Sequence, residues 1–150
     1  MAIGLTNYGI GQMAGEAALL PNQPIFHNCH IKTGTTLKCG DIVKLVTETG
    51  KKNLVVVDKA AATDLPLGVV VYNGIKTGFT GADLVSVFPE NACCYLPAGS
   101  ASITRGAKLQ FNADGQVLAT TTASNGYIGI ALTEPTAVND LIVVQIKASK

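Results

Sequence analysis

Tryptophan is absent from this chain, histidine occurs only at His27 and His30, and charge of either sign is scarce. Charged residues make up 14% of the sequence, where a soluble domain ordinarily carries about 25%. With so few charges to cover it, part of the surface is expected to be apolar and hidden by other chains. The net charge of +1 comes without any run of Lys or Arg. That removes the basic patch which phosphate binding requires, so nucleic acid is not an expected partner. Long hydrophobic runs are missing too. Stretches such as Leu54–Val57 and Val69–Tyr72 fall far below the roughly 18 residues of a membrane span, and no membrane partner is expected. The first residues show neither the positive region nor the apolar region of a secretory signal. The chain is therefore expected to be soluble and made in the cytoplasm.

Recognisable catalytic patterns are lacking as well. Neither histidine has a Gly-x-Ser-x-Gly partner, and no phosphate-binding glycine pattern follows a strand and opens a helix. Asp41, Asp83 and Asp140 stand at turns that open strands, where Asp bonds its own backbone. His27 and His30 flank Cys29, with Cys39 nearby, but these residues lack the spacing by which one turn presents two zinc ligands. A strand or loop with an inward cysteine and partly exposed imidazoles is the expected reading. Asp58-Lys59-Ala60 resembles the lysine-bearing turn of lipoyl-type domains over three residues only. Cys93 and Cys94 are adjacent, and the four cysteines do not have the spacing of a small secreted scaffold, so reduced and mostly buried thiols are expected. No catalytic, cofactor-binding or metal-binding residue is assigned. The chain is not expected to be an enzyme.

What the chain does have is a pattern written twice. Gly40-Asp41-Ile42-Val43-Lys44-Leu45, a Gly50 turn, Leu67-Gly68-Val69-Val70 and Asp83-Leu84-Val85-Ser86-Val87-Phe88 form the first copy. Gly106-Ala107-Lys108-Leu109-Gln110-Phe111, a Gly115 turn, Ile128-Gly129-Ile130-Ala131 and Asp140-Leu141-Ile142-Val143-Val144 form the second. The offsets fall from 66 (Gly106 minus Gly40) through 65 (Gly115 minus Gly50) and 61 (Gly129 minus Gly68) to 57 (Asp140 minus Asp83). The second copy thus has shorter loops between the same elements. Two copies are too few for a solenoid; a paired β unit burying its apolar faces against its twin fits better. Gly40 and Gly106 read as turns. Gly68 and Gly129, inside strands, read as a bend or close backbone approach needed in each half.

Along the chain, residues 1–30 stand apart: glycine-rich, nearly uncharged and ending in Pro21 and Pro24. They are expected to form an extended arm, with Leu5, Tyr8, Ile10, Met13, Leu19 and Leu20 contacting a neighbouring subunit or a larger assembly. The alternative is an edge strand on the chain's own body. Residues 31–150 are expected to form one β domain of two internal repeats, about 31–90 and 96–147. Leu54-Val55-Val56-Val57 reads as a strand buried on both faces. Ala60–Asp64 reads as a loop or a single turn. Lys108–Phe111 alternates with period two before the hairpin turn Asn112–Gly115, and Ile142, Val144 and Ile146 share one face. No stretch makes a long helix. The expected fold is all-β, a compact barrel or sandwich of two tandem repeats with an extended N-terminal arm.

The order of these motifs, together with Leu96-Pro97-Ala98-Gly99, Asn112-Ala113-Asp114-Gly115-Gln116-Val117 and Asn139-Asp140-Leu141-Ile142-Val143-Val144, resembles the small capsid decoration (cement) proteins of tailed bacteriophages over residues 31–147. The resemblance implies a non-enzymatic virion protein, made in the host cytoplasm and bound to the outer capsid surface. It also implies the major capsid protein as partner, a homo-oligomer with a trimer favoured over a dimer, and bridging of neighbouring capsomers. The other reading is a non-catalytic β module for carbohydrate or host-surface recognition; such sites use exposed aromatics, and aromatics are only 5% of this chain. On these expectations, deleting residues 1–20 leaves a folded β protein that assembles more weakly, as circular dichroism and light scattering would register.

Overall fold

From Phe26 onward, short β-branched runs are cut by glycine and aspartate turns every few residues, a pattern that suits strands and denies helices their length. The computed structural model describes residues 13–18, 22–72, 74–121 and 126–147. Among them every regular element is a strand, so the expected all-β class is what the chain adopts. The first half contains β1 (Phe26–Ile31), β2 (Leu37–Lys38), β3 (Ile42–Leu45), β4 (Val56–Lys59), β5 (Gly68–Val70), β6 (Gly78–Phe79) and β7 (Leu84–Phe88). The second contains β8 (Cys93–Pro97), β9 (Lys108–Phe111), β10 (Val117–Ala119), β11 (Tyr127–Ala131) and β12 (Leu141–Ile146).

Strands β1, β4, β3, β5 and β7 close into a barrel, and β2 pairs with β6 as a separate ribbon. The second half forms a sheet in the order β10-β9-β11-β12-β8. Ladder pairs occur at similar separations in the two halves. Val43 faces Gly68 as Leu109 faces Gly129. Val70 faces Val87 as Ala131 faces Val144. Ile31 faces Val57 in the parallel β1–β4 pair, and Ala98 bridges Val117 in the same sense. The separations are 66 (Leu109 minus Val43), 61 (Gly129 minus Gly68) and 57 (Val144 minus Val87).

The strand alternation distributes side chains between two cores. Val43, Val57, Val70, Val85 and Val87 fill the barrel with Cys29 and Ile31, and Leu37 and Phe79 of the ribbon join them. Their neighbours Ile42, Val69 and Phe88 point outward from the barrel into a second core, with Leu96, Leu109, Phe111, Ile128, Ile142, Val144 and Ile146 of the other sheet. Strands β3, β5 and β7 therefore bury apolar side chains on both faces, at Ile42–Val43, Val69–Val70 and Val87–Phe88. Gly68 and Gly129 sit where strands approach too closely for a side chain: a Cβ would overlap the Phe88 carbonyl oxygen at one and the Gln145 carbonyl oxygen at the other.

Two parts of the 1–30 stretch differ from the expected arm. Residues 26–30 lie within β1, because Cys29 alternates into the barrel core. Residues 13–18 run along β8 of their own chain, where an unpaired strand edge offers hydrogen bonds to an uncharged segment. Gly15 N–H donates to Tyr95 O at 2.9 Å, Tyr95 N–H to Glu16 O at 3.0 Å and Ala18 N–H to Cys93 O at 3.0 Å. Tyr72 N–H donates to Gly15 O at 2.9 Å, so the segment clasps both halves. Gln23 adds to it, its Nε2 donating to Cys93 O at 2.7 Å and to Ala18 O at 3.1 Å. Leu54 and Val55 also depart from expectation: β4 starts at Val56 and both residues are exposed, because they belong to the preceding loop.

At Gly15 φ is +79°, and an added Cβ would overlap Val70 O and lie 2.6 Å from Gly40 N. Gly15→Ala is expected to lower stability by at least about 2 kcal/mol. Gly34→Ala has a similar φ but open space around it and should cost about 1 kcal/mol. Urea midpoints compare the two. Removal of residues 1–20 should lower the midpoint, because it takes away the hydrogen bonds that residues 13–18 make to β8 and Tyr72.

Candidate functional site

The residue types that carry chemistry are placed by this fold in turns and cores. Asp41, Asp64, Asp83 and Asp140 each accept a backbone N–H from three residues earlier: Lys38 at 2.8 Å, Ala61 at 2.7 Å, Thr80 at 2.7 Å and Ala137 at 2.9 Å. The same carboxylates close turns that open or precede strands, which is what the sequence pattern expects of Asp41, Asp83 and Asp140. Asp41 is buried, and its second oxygen reaches Lys59 Nζ at 3.4 Å. Lys59 thus stands within β4, paired to a turn. It is not at a hairpin tip.

Alternation separates His30 from Cys29, and a register shift between Phe26 and Cys29 separates His27 from it. Cys29 is fully buried in the barrel core, while His30 lies on the other face and His27 Nδ1 meets Ser86 Oγ at 3.1 Å. Among the described residues no group of three or more His, Cys, Asp or Glu is placed to hold a metal. All four cysteines are free and buried. Burial pushes every one of these thiols above its ordinary range, Cys94 the most. Since the thiolate is the nucleophilic form, these are packing residues.

Of the residues expected at contacts, Leu5, Tyr8, Ile10, Leu19 and Leu20 lie outside the described residues. Met13 is half-buried, its N–H donating to Glu16 Oε2 at 3.0 Å. The turn glycines Gly40 and Gly106 have φ of +85° and +80°. Gly40 also carries an approach that sequence reading did not foresee, with Ala14 packed against its Cα, so that a side chain there would overlap Ala14. The surface does carry exposed apolar side chains. Phe26 and Leu84 are exposed on the β1–β7 pair, and Leu45, Leu54 and Val55 lie at or within the β3–β4 connection. Sequence reasoning missed the last three, although the greater length of that loop in the first copy was the available signal.

Ion pairs among the described residues join first-half side chains: Lys32–Asp58 at 2.9 Å, Lys44–Asp64 at 2.7 Å, Lys51–Glu48 at 3.1 Å and Lys76–Asp83 at 2.6 Å, besides Lys59–Asp41. Exposed pairs contribute little stability. Their effect is to neutralise most of the lysines on this half.

An all-β body whose polar groups are spent on turns and whose thiols are spent on packing has the make-up of a structural protein. Residues 31–146 match the phage cement protein family, and the chain belongs to that family; it is a structural protein of the phage virion. The fold is similar to the crystal structure of the head fiber gp8.5 N base of bacteriophage phi29. That likeness has a TM-score of 0.59 and 22% identity over 85% of this chain and 96% of that one. No curated protein is similar enough to the chain to count as a match.

The turn carboxylates set an acid limit. Asp64 is held below the usual carboxylate range first by Lys44, Asp83 first by Lys76 and Asp140 first by the Thr136 hydroxyl, each with backbone N–H bonds in support. The unfolded chain then binds more protons than the folded one at acid pH. Stability should be flat near neutrality and fall as pH drops below about 4. Thermal midpoints measured from pH 7 to pH 2 follow it, and a flat profile would contradict the assignment.

Proposed function

We propose that this chain decorates the outer surface of a phage capsid and stabilises the shell by bridging neighbouring capsomers, acting as a homo-oligomer, with a trimer favoured. The family match over residues 31–146 carries this reading. The body supports it: two sheets share one core, the surface is poor in charge, and apolar side chains remain exposed. A rigid β body loses little conformational entropy on docking. Many symmetric copies on one shell turn modest contacts into firm attachment.

Residues 31–90 and 96–147 are read as two copies of one five-strand unit, supported by the shared strand order and by ladder partners spaced as the sequence landmarks are. Residues 1–12 are read as the part of the arm left to reach a sister subunit or the shell. The protein acts by binding, with no chemical step.

The test uses the purified full chain and expanded empty capsids of the phage that encodes it. Saturable binding at a fixed ratio to capsomers, with capsids that then survive more heating, is the expected result. A chain that stays monomeric by light scattering and sediments apart from the shells overturns the proposal.

A further inference from the structure

Corresponding hairpins in the two halves differ in length. Residues 112–116 join β9 to β10, whereas residues 46–55 join β3 to β4. The longer loop is pinned in place. Glu48 accepts the Thr33 N–H at 3.2 Å and the Thr33 hydroxyl, and Lys51 Nζ reaches Glu48 at 3.1 Å and Thr33 Oγ1 at 3.4 Å. Within the loop, Lys51 N–H donates to Glu48 O and Leu54 N–H to Lys51 O, both at 3.1 Å. Thr33 follows β1, so the loop folds back across β4 to reach it. This explains why Val56 is only 2% exposed although it points away from the barrel core that its neighbour Val57 fills.

Pinning leaves apolar groups in solvent. Leu45, Leu54 and Val55 are 59%, 41% and 47% exposed. Leu45 and Leu54 line a groove of about 320 Å³ together with Val46 and Val56, and Val55 lies beside it in the chain. At its rim Lys51 is neutralised by Glu48. Lys52 is exposed and, among the described residues, enters no ion pair. The local charge left over is positive.

We infer that this loop face is where the chain meets the capsid, docking on an apolar recess of the shell rimmed by carboxylates; the inference rests on the capsid-binding reading above. The three exposed side chains offer on the order of 250 Å², against about 800 Å² per partner in a stable pairwise interface. That is too little to hold two copies of this chain together by itself. It is enough for a contact repeated over a shell by an oligomer, where each arm raises the effective concentration of the next. The uncompensated Lys52 sets the sign of the partner surface. The Glu48–Thr33 anchor means the loop is ordered before it binds, so little freedom is lost on docking.

The experiment compares wild type with Leu54→Asp/Val55→Asp, with the milder Leu54→Ser/Val55→Ser, and with Lys52→Glu, all as full chains. Binding is measured by cosedimentation with expanded empty capsids of the encoding phage, solution mass by light scattering and folding by thermal midpoint. The Asp pair should lose at least tenfold in affinity, the Ser pair less, and Lys52→Glu several-fold with a weaker salt dependence. Mass and midpoint should stay at wild type; if the Asp pair unfolds, the Ser pair and Lys52→Glu decide. Undiminished binding by folded variants overturns the assignment of this face while leaving the capsid reading intact. A change in solution mass overturns it in favour of a contact between copies. A wild type that binds no capsid overturns the capsid reading itself.

Discussion

Strands β3, β5 and β7 carry apolar side chains on both faces, and this double burial joins the two halves into one body. Val43, Val70 and Val87 close the barrel from within, while Ile42, Val69 and Phe88 form a wall of the neighbouring core. Each buried side chain of this size contributes about 1.5–3 kcal/mol, and the same backbone positions serve two cores at once. The strands can be shared only if they lie close together. Glycine at positions 68 and 129 supplies that closeness, since any side chain there would strike the adjoining strand.

A body built this way has consequences for what it presents. Its polar side chains near strand ends are engaged by backbone N–H groups, its cysteines are inside, and the segment at residues 13–18 covers the edge of β8 that would otherwise pair with another sheet. What remains outside is a lightly charged surface with a few fixed apolar projections. A virion structural protein in the proposed role needs that combination: shape held by the core, and contacts that do not have to be ordered on arrival.

Several elements were legible in the sequence for identifiable reasons. The strand-opening aspartates were readable because the turn each one closes is local, its carboxylate accepting a backbone N–H from only three residues earlier. The strand glycines were readable because they recur, and their offsets coincide with the separations of ladder partners. Alternation was enough to expect His30 opposite an inward Cys29, but His27 is turned outward by a register shift between Phe26 and Cys29, where Asn28 has a φ of +58°. Leu54 and Val55 misled, since two exposed apolar residues before Val56 and Val57 look the same in sequence as a buried run. Gly15 and Gln23 gave no local sign of their roles, because their partners Tyr72, Cys93 and Tyr95 are distant in the chain.

The sequence alone determined the all-β class, the places of the turns, the absence of a helix-forming stretch and the family resemblance, because each depends on residues near one another or on their order. Tertiary structure alone decided that the first half closes into a barrel while the second stays a sheet leaning on it. It also decided that residues 13–18 clasp their own chain and that the β3–β4 loop is pinned with its leucine and valine in solvent. Those outcomes depend on which distant edges and faces come together, and burial, unlike turn chemistry, is a property of the neighbours a residue acquires on folding.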